Sequence, residues 1–412
     1  MAPPRQIIII GPGISGLLLA QYLRKTGVPF QMFERDSSLE ARPGGWGLTL
    51  HWSLPALRRL LPPDIVQQLP EAYVNKEAAR NGDNDRYQFF DLSTGKAKYD
   101  VPAAERIRVS RYRLRRILAT GIDVQWSKSV ESIDSSDDSV TVHFVDGTNC
   151  TGTLLAACDG AHSRIRKVLY NATMNPIPVR LLSAATRYSA EQAAAACRID
   201  PYIFQGTHSK DNTYLFFSFL DSPHNFSDST DGYTCQVIIS WPYRPGFFGE
   251  EAPIDIPASQ PEQLALMKRF ADDWAEPFRS LVHNLPDDVE IVPLSLEDWH
   301  PQQGSHGTGR IALIGDSAHT MTMFRGESAN HAIVDVLDFV KHLEPHFPKA
   351  GAAEVSNFKT IRRAIDDYED AVNARAIPSV LASRQACLDA NEYARINDAS
   401  PLVSRRIINM NF

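Results

Sequence analysis

In the run QIIII at 6–10 the four isoleucines after Gln6 are apolar and β-branched without interruption, and they feed directly into GPGISG. Such a run is expected of a strand buried on both faces of a parallel sheet. The stretch that follows, ISGLLLAQYLRKT, changes to a helical spacing and stops at Gly27, a suitable C-cap. A second strand is predicted in PFQMFER at 29–35. Two later segments repeat the strand-then-turn pattern. LLAACDGAHSRIRKVL at 154–169 ends its apolar run at Asp159-Gly160, ahead of a helix start with Ser163, Arg164 and Arg166, and IALI at 311–314 runs into Gly315-Asp316.

Between these segments the pattern is that of a sheet. RYQFFDLSTGKAKYDV at 86–101 reads as a hairpin turning at Ser93-Thr94-Gly95, and VRLLSAATRYS, NTYLFFSFL and YTCQVIISW are three β-rich runs. A Pro-rich connection then leads to a predicted helix with apolar positions Leu264, Met267, Phe270, Trp274 and Phe278. DSSDDS at 134–139 is a hairpin turn, and from Val355 onward the chain is predominantly helical. The fold class expected is α/β. A discontinuous Rossmann-like lobe takes 1–75, 100–175 and 294–350, a β-sheet substrate lobe takes 76–99 and 176–293, and 351–412 form a C-terminal helical segment.

Composition narrows the function class. With 412 residues, 43% hydrophobic, 22% charged and a formal charge of -7, the chain has the make-up of an ordinary two-lobed globular protein. A mildly acidic balance disfavours a nucleic-acid partner, because phosphate binding calls for a basic face. No apolar segment approaches the roughly 20 residues needed to span a bilayer, and the N-terminus does not read as a signal peptide, so no membrane partner and a cytoplasmic location are expected. Five scattered cysteines without a Cys-x-x-Cys pair suggest reduced, mostly buried thiols and no metal site.

The first turn carries the chemistry. Gly11, Gly13 and Gly16 have the Gly-x-Gly-x-x-Gly spacing, which allows a tight turn, approach of backbone to a pyrophosphate, and close packing of helix on sheet. Glu34 follows 18 residues after Gly16, near the spacing at which an acid meets a ribose hydroxyl, and favours a free 2′-hydroxyl as in FAD or NAD. Ser15 and Arg35 are counted with this group. Asp159-Gly160 by itself reads as a plain turn, and Asp316 as a helix cap.

Taken together, these motifs resemble the single-component FAD-dependent monooxygenases, the flavoprotein aromatic hydroxylases of the para-hydroxybenzoate and salicylate hydroxylase type, along nearly the whole chain. Gly11, Gly13, Gly16 and Glu34 match the family's ADP-binding fingerprint; Asp159, Gly160, Ser163 and Arg166 its second motif; and Gly315, Asp316 and His319 its third. The resemblance implies FAD as cofactor, NADPH as co-substrate, O2, and oxygen transfer from a C4a-hydroperoxyflavin to a small aromatic, indolic or polycyclic molecule of secondary metabolism. It implies an FAD contact for Arg111, although RYRLRR also reads as a solvated basic helix face. RPGGWGLTLHW resembles the mobile segment beside the flavin ring, with Gly45 and Gly47 permitting movement and Trp46 and His51 open to a packing role. Segment Gly326–Asn330, with Ser328, Ala329 and Asn330, is expected to aim backbone donors at the flavin pyrimidine edge.

For acid/base or orienting work the candidates are Arg187, on an otherwise apolar strand, and Tyr214, which alternation places on one face with Phe216 and Ser218. Met323 and Ser328-Ala329 depart from the family's usual Pro and Gly residues: losing Pro frees φ at 323, and losing Gly removes easy access to φ > 0 at 328–329. That departure motivates a second hypothesis: an isomerase or cyclase on the same fold with FAD structural or absent. A halogenase is disfavoured, since no Trp-x-Trp-x-Ile-Pro segment is present.

Overall fold

The computed structural model describes residues 5–41, 45–82, 86–102, 105–225, 232–302, 309–348 and 357–406. Residues 42–44 of the segment expected beside the flavin, Val355, and the last six residues of the helical tail lie outside the described residues.

The QIIII run forms the central strand, Ile7–Ile10, of a five-stranded parallel sheet. Leu154–Ala157 and Phe30–Phe33 flank it, with Ile311–Leu313 and Val124–Gln125 at the edges. All four isoleucines are buried, which is why the run shows no polar alternation. Helix Ile14–Thr26 leaves this sheet at Gly13 and packs against helix Ser328–Leu343. Thus the segments predicted to carry the three motifs meet at the carboxyl ends of three adjacent strands, the place where open α/β sheets leave a crevice.

The second lobe is a seven-stranded mixed sheet in the order Ile291–Asp298, Asn175–Tyr188, Tyr233–Pro242, Tyr214–Asp221, Ile203–Thr207, Arg86–Asp91 and Lys96–Pro102. The 86–101 hairpin joins it through parallel pairing of Phe89–Asp91 with Gln205–Thr207. Alternation buries both faces. Phe204, Phe217, Val237 and Ile239 pack on one side with Met267, Phe270 and Phe278, while Phe89, Phe216 and Ile238 turn to the other side, toward Ala386 and Cys387.

Two expectations are corrected here. The lobe boundary placed at 294 falls inside strand Ile291–Asp298, which pairs along Asn175–Ala184 and so belongs to the wide sheet. The single helix expected through Leu264 and Phe278 is two helices, Gln260–Ala271 and Phe278–His283, with Trp274 in the turn between them. Pro277 accounts for the break, since proline disfavours helix in the residue before it and removes an N–H.

The C-terminal helix, Phe358–Ala390, is 33 residues long and joins the lobes. Its Tyr368 hydroxyl donates to Leu313 O at 2.7 Å in the parallel sheet, while Thr207 Oγ1 in the wide sheet donates to Ala390 O at 2.6 Å.

Candidate functional site

The first turn is tight because its glycines abut backbone. Gly11 has φ +99°, and a Cβ there would lie 2.4 Å from Cys158 O; a Cβ at Gly16 would lie 2.1 Å from Gly11 O. Around Gly13 only Cys158 O comes within reach, at 4.0 Å, so that stretch of backbone faces open space. Below it a cleft of about 130 Å³ is lined by Gly11, Gly13, Glu34, Arg35, Arg111 and Asp159, among others. Glu34 is half-buried, and its Oε1 accepts from Asp36 N–H at 2.9 Å.

Asp159 enters this cleft from the second strand end. Its Oδ2 accepts from Arg164 N–H at 2.9 Å, but its buried Oδ1 has no partner among the described residues, and burial raises its pKa. A buried acceptor left open in a cleft calls for a donor from a ligand. Arg166, two residues into the following helix, turns away from the cleft. Its Nη1 donates to Asp316 O and Thr320 Oγ1, both at 3.0 Å, so it ties the second turn to the third.

The third turn is held from behind by a buried charge network. Gly315 N–H donates to Asp335 Oδ2 at 2.7 Å, His319 Nε2 donates to the same oxygen at 2.6 Å, and Arg375 of the C-terminal helix reaches Oδ1 at 2.6 Å. Burial alone would raise the Asp335 pKa, but His319 and Arg375 outweigh it and hold the carboxyl well below its usual range. In front of the turn, Asp316 faces the large cavity and accepts from Ser328 Oγ. Neither Ser328 nor Ala329 has a positive φ; the left-handed residue is Gly326, with φ +64°. The helical backbone at 328–329 therefore needs no residue with easy access to φ > 0.

The large cavity, about 530 Å³, extends from Gly13 and Ser15 past Gly47, Asp316, Ser328 and Ala329 to the wide sheet. There Ile203, Gln205, Phe216, Gln236 and Ile238 form its wall. Gly13, Arg111, Cys158, Gly160 and His162 line both this cavity and the smaller cleft, so the two form one groove running from Glu34 to the sheet. Arg111 sits at the junction and is fixed in the helix Arg111–Leu118 that Ser110 caps.

Three predicted site residues are placed elsewhere. Arg187 is exposed near the end of its strand and does not line the cavity. Tyr214 shares the face of Phe216, as alternation required, but it is fully buried against Phe324 with ring centroids 5.0 Å apart, outside the lining. Burial pushes its hydroxyl pKa well above the usual value, so it is a poor proton donor. The Asn330 side chain is occupied in shaping the 49–53 turn, where its Oδ1 accepts from Ser53 Oγ at 2.8 Å and His51 N–H at 3.0 Å.

Residues not expected from the sequence are the arginines of the cavity: Arg106, Arg108, Arg325, Arg405 and Arg406. The signal for two of them was the alternation RIRV at 106–109, in which Ile107 and Val109 enter the core and the arginines point the other way. His51 also lines the cavity, and burial together with Arg406, Arg325 and Arg106 lowers its pKa to about 3. Among the described residues no group of His, Cys, Asp or Glu is arranged to hold a metal ion, and no helix is long and apolar enough to cross a membrane.

The groove fits an extended dinucleotide such as FAD. It offers an acid and an orphaned acceptor at one end, open backbone and Arg111 midway, and Asp316 with the head of helix Ser328–Leu343 where the cavity widens. The positive end of that 16-residue helix favours developing negative charge beside it.

Comparison with known proteins gives the same chemistry. The sequence profile of the FAD binding domain family matches residues 5–196. A protein of Arthroderma benhamiae named probable FAD-dependent monooxygenase is 43% identical over 417 residues, spanning 98% of this chain and 96% of that protein. FAD-dependent monooxygenase tazP of Aspergillus terreus is 37% identical, with 82% of this chain and 89% of that protein covered. Among solved structures, HpxO of Klebsiella pneumoniae, complexed with FAD and uric acid, superposes with a TM-score of 0.71 at 19% identity. The match covers 94% of this chain and 89% of that one, and at such identity the likeness is one of fold.

Proposed function

The chain belongs to the single-component FAD-dependent monooxygenases, and from that premise we propose that it consumes NADPH and O2 to hydroxylate or epoxidise an aromatic, indolic or polyketide-like small molecule. The observation that carries this reading is the continuous groove from Glu34 to the wide sheet, which ends in a cavity of about 530 Å³, within the usual size range for small-molecule sites.

When bound, FAD would supply the redox chemistry, carrying two electrons from NADPH to O2 so that one oxygen atom goes to the substrate and the other leaves as water. The protein's part is to hold, orient and exclude solvent. Glu34 would accept from ribose hydroxyls, with Arg35 beside it. The backbone at Gly11 and Gly13, Ser15 and the Arg111 guanidinium would hold the diphosphate. Asp159, in the narrow cleft with Glu34, would accept from a hydroxyl at that end, Asp316 would accept from hydroxyls farther along, and Gly315 fixes the turn on which Asp316 stands. The N–H groups of Ser328 and Ala329, at the positive end of their helix, would stabilise charge on the flavin pyrimidine edge. Gly47, at the start of strand Gly47–Leu50, lines the same cavity. The isomerase or cyclase reading loses its motive, because Ser328 and Ala329 lie in unstrained helical backbone.

The test is direct. The purified protein is expected to be yellow or to take up FAD, and NADPH should bleach it without oxygen, faster when an aromatic or indolic substrate is present. A flavin-free protein that converts a substrate without NADPH would overturn the reading.

A further inference from the structure

Arg108 is 3% exposed and lines the cavity, yet among the described residues no carboxylate forms an ion pair with it. Its Nε donates to Phe219 O and its Nη1 to Thr49 Oγ1, both at 3.0 Å, and both acceptors are neutral. The buried Nη2 has no hydrogen-bond partner among the described residues. The nearby acid, Asp200, is committed to Arg106 at 2.6 Å and to the N–H groups of Tyr202 and Ile203. Arg106 in turn repels Arg108, and burial with that repulsion lowers the Arg108 pKa to about 9. A buried guanidinium with neutral partners alone is costly, and folds tolerate such a charge where a ligand completes it.

The surroundings place the open donor at the sheet wall. The guanidinium carbon lies 5.9 Å from the centroid of the Phe216 ring. The cross-strand neighbour of Phe216 is Gln205, whose buried Oε1 also lacks a partner. Gly47 lies against the other side: a Cβ there would lie 2.4 Å from Arg108 Nη2, so this residue at the start of strand Gly47–Leu50 must be glycine for the guanidinium to stay in place. A flat apolar ring edge, one cationic donor and one neutral acceptor thus converge on the same wall.

We propose that Arg108 is the anion-recognition residue of the cavity, its Nη2 donating to an ionised oxygen of the substrate, while Gln205 Oε1 accepts from a hydroxyl on the same molecule. The substrate class is then an aromatic or enolic compound bearing a phenolate, enolate or carboxylate together with a free hydroxyl. This rests on reading the groove as an FAD site whose wide end receives substrate.

The experiment titrates the FAD-loaded protein calorimetrically with two isosteric pairs, benzoate against benzamide, and 4-nitrophenolate against 4-nitroanisole at a pH above the phenol's pKa. The anion of at least one pair is expected to bind about tenfold or more tightly than its neutral twin, the size of a charged hydrogen bond. The pair with the larger ratio distinguishes carboxylate from phenolate. Arg108→Gln should bring the ratio toward one, Arg108→Lys should retain part of it, and exposed Arg187→Gln should leave it unchanged. A flavin-loaded wild type with no anion preference, or an Arg108→Gln protein that keeps the wild-type ratio, overturns the proposal alone. It also falls if Arg108→Gln loses FAD while Arg108→Lys keeps it, since the positive charge at this position then serves the cofactor. A wild type that never takes up FAD overturns the reading of the groove and this proposal with it.

Discussion

His51 lines the cavity as a neutral group, because burial and three arginines bring its pKa to about 3. In the unfolded chain its pKa returns to about 6.5. Between those values the unfolded state binds the extra proton, so stability falls as pH drops from about 6.5 toward 3, by at most about 1.4 kcal/mol per pH unit. Urea midpoints measured across that window should show a shallower pH slope for His51→Gln than for the wild type. At the first turn the expectation is steric. Gly16→Ala puts a methyl group 2.1 Å from Gly11 O, and neither backbone can yield without moving helix against sheet. A loss of about 3 kcal/mol or more is expected, together with loss of retained flavin on purification. The glycine spacing was legible in sequence because it repeats a backbone requirement. That Gly47 answers to a guanidinium was not, since Arg108 is 61 residues away along the chain.

At the scale of elements, the long C-terminal helix acts through Arg375. Its ion pair with Asp335 fixes the carboxylate that accepts from Gly315 N–H, so a helix outside the parallel sheet helps set the turn on which Asp316 stands. Asp335→Asn leaves Arg375 with a weakened partner and Arg375→Met leaves a buried carboxylate exposed to its own desolvation. Each is expected to cost about 3–5 kcal/mol by denaturant unfolding, and the double variant less than the sum. Sequence periodicity identified this helix and missed its role, because the residues it serves lie on other elements. The same limit explains strand Ile291–Asp298. Its pattern permitted a strand, but only pairing with Asn175–Ala184 assigned it to the wide sheet. Arg187 and Tyr214 were selected correctly as strand residues, yet position along the strand, which alternation does not report, put both outside the cavity lining.

For the whole molecule, the groove passes between two sheets that one helix joins, so a ligand filling it should stabilise both lobes together. FAD at about a hundredfold excess over its Kd should add about 2.7 kcal/mol to unfolding stability. Differential scanning calorimetry should then show a single transition moving upward on FAD addition; two transitions, of which one alone moves, would mean that the lobes unfold independently. What the sequence by itself determined is the class of the fold, the three strand-end turns and the family they resemble. These depend on local backbone demands: a buried strand must be apolar, a close approach must be glycine, and a turn must stop its strand. What only the tertiary structure decided is the cavity wall. Arg108 comes from one strand and Arg106 from the residue before it, Gln205 and Phe216 from two other strands, and Arg406 from beyond the last helix. Charge, burial and partnership at that wall are properties of residues distant in sequence, and no local pattern records which of them meet.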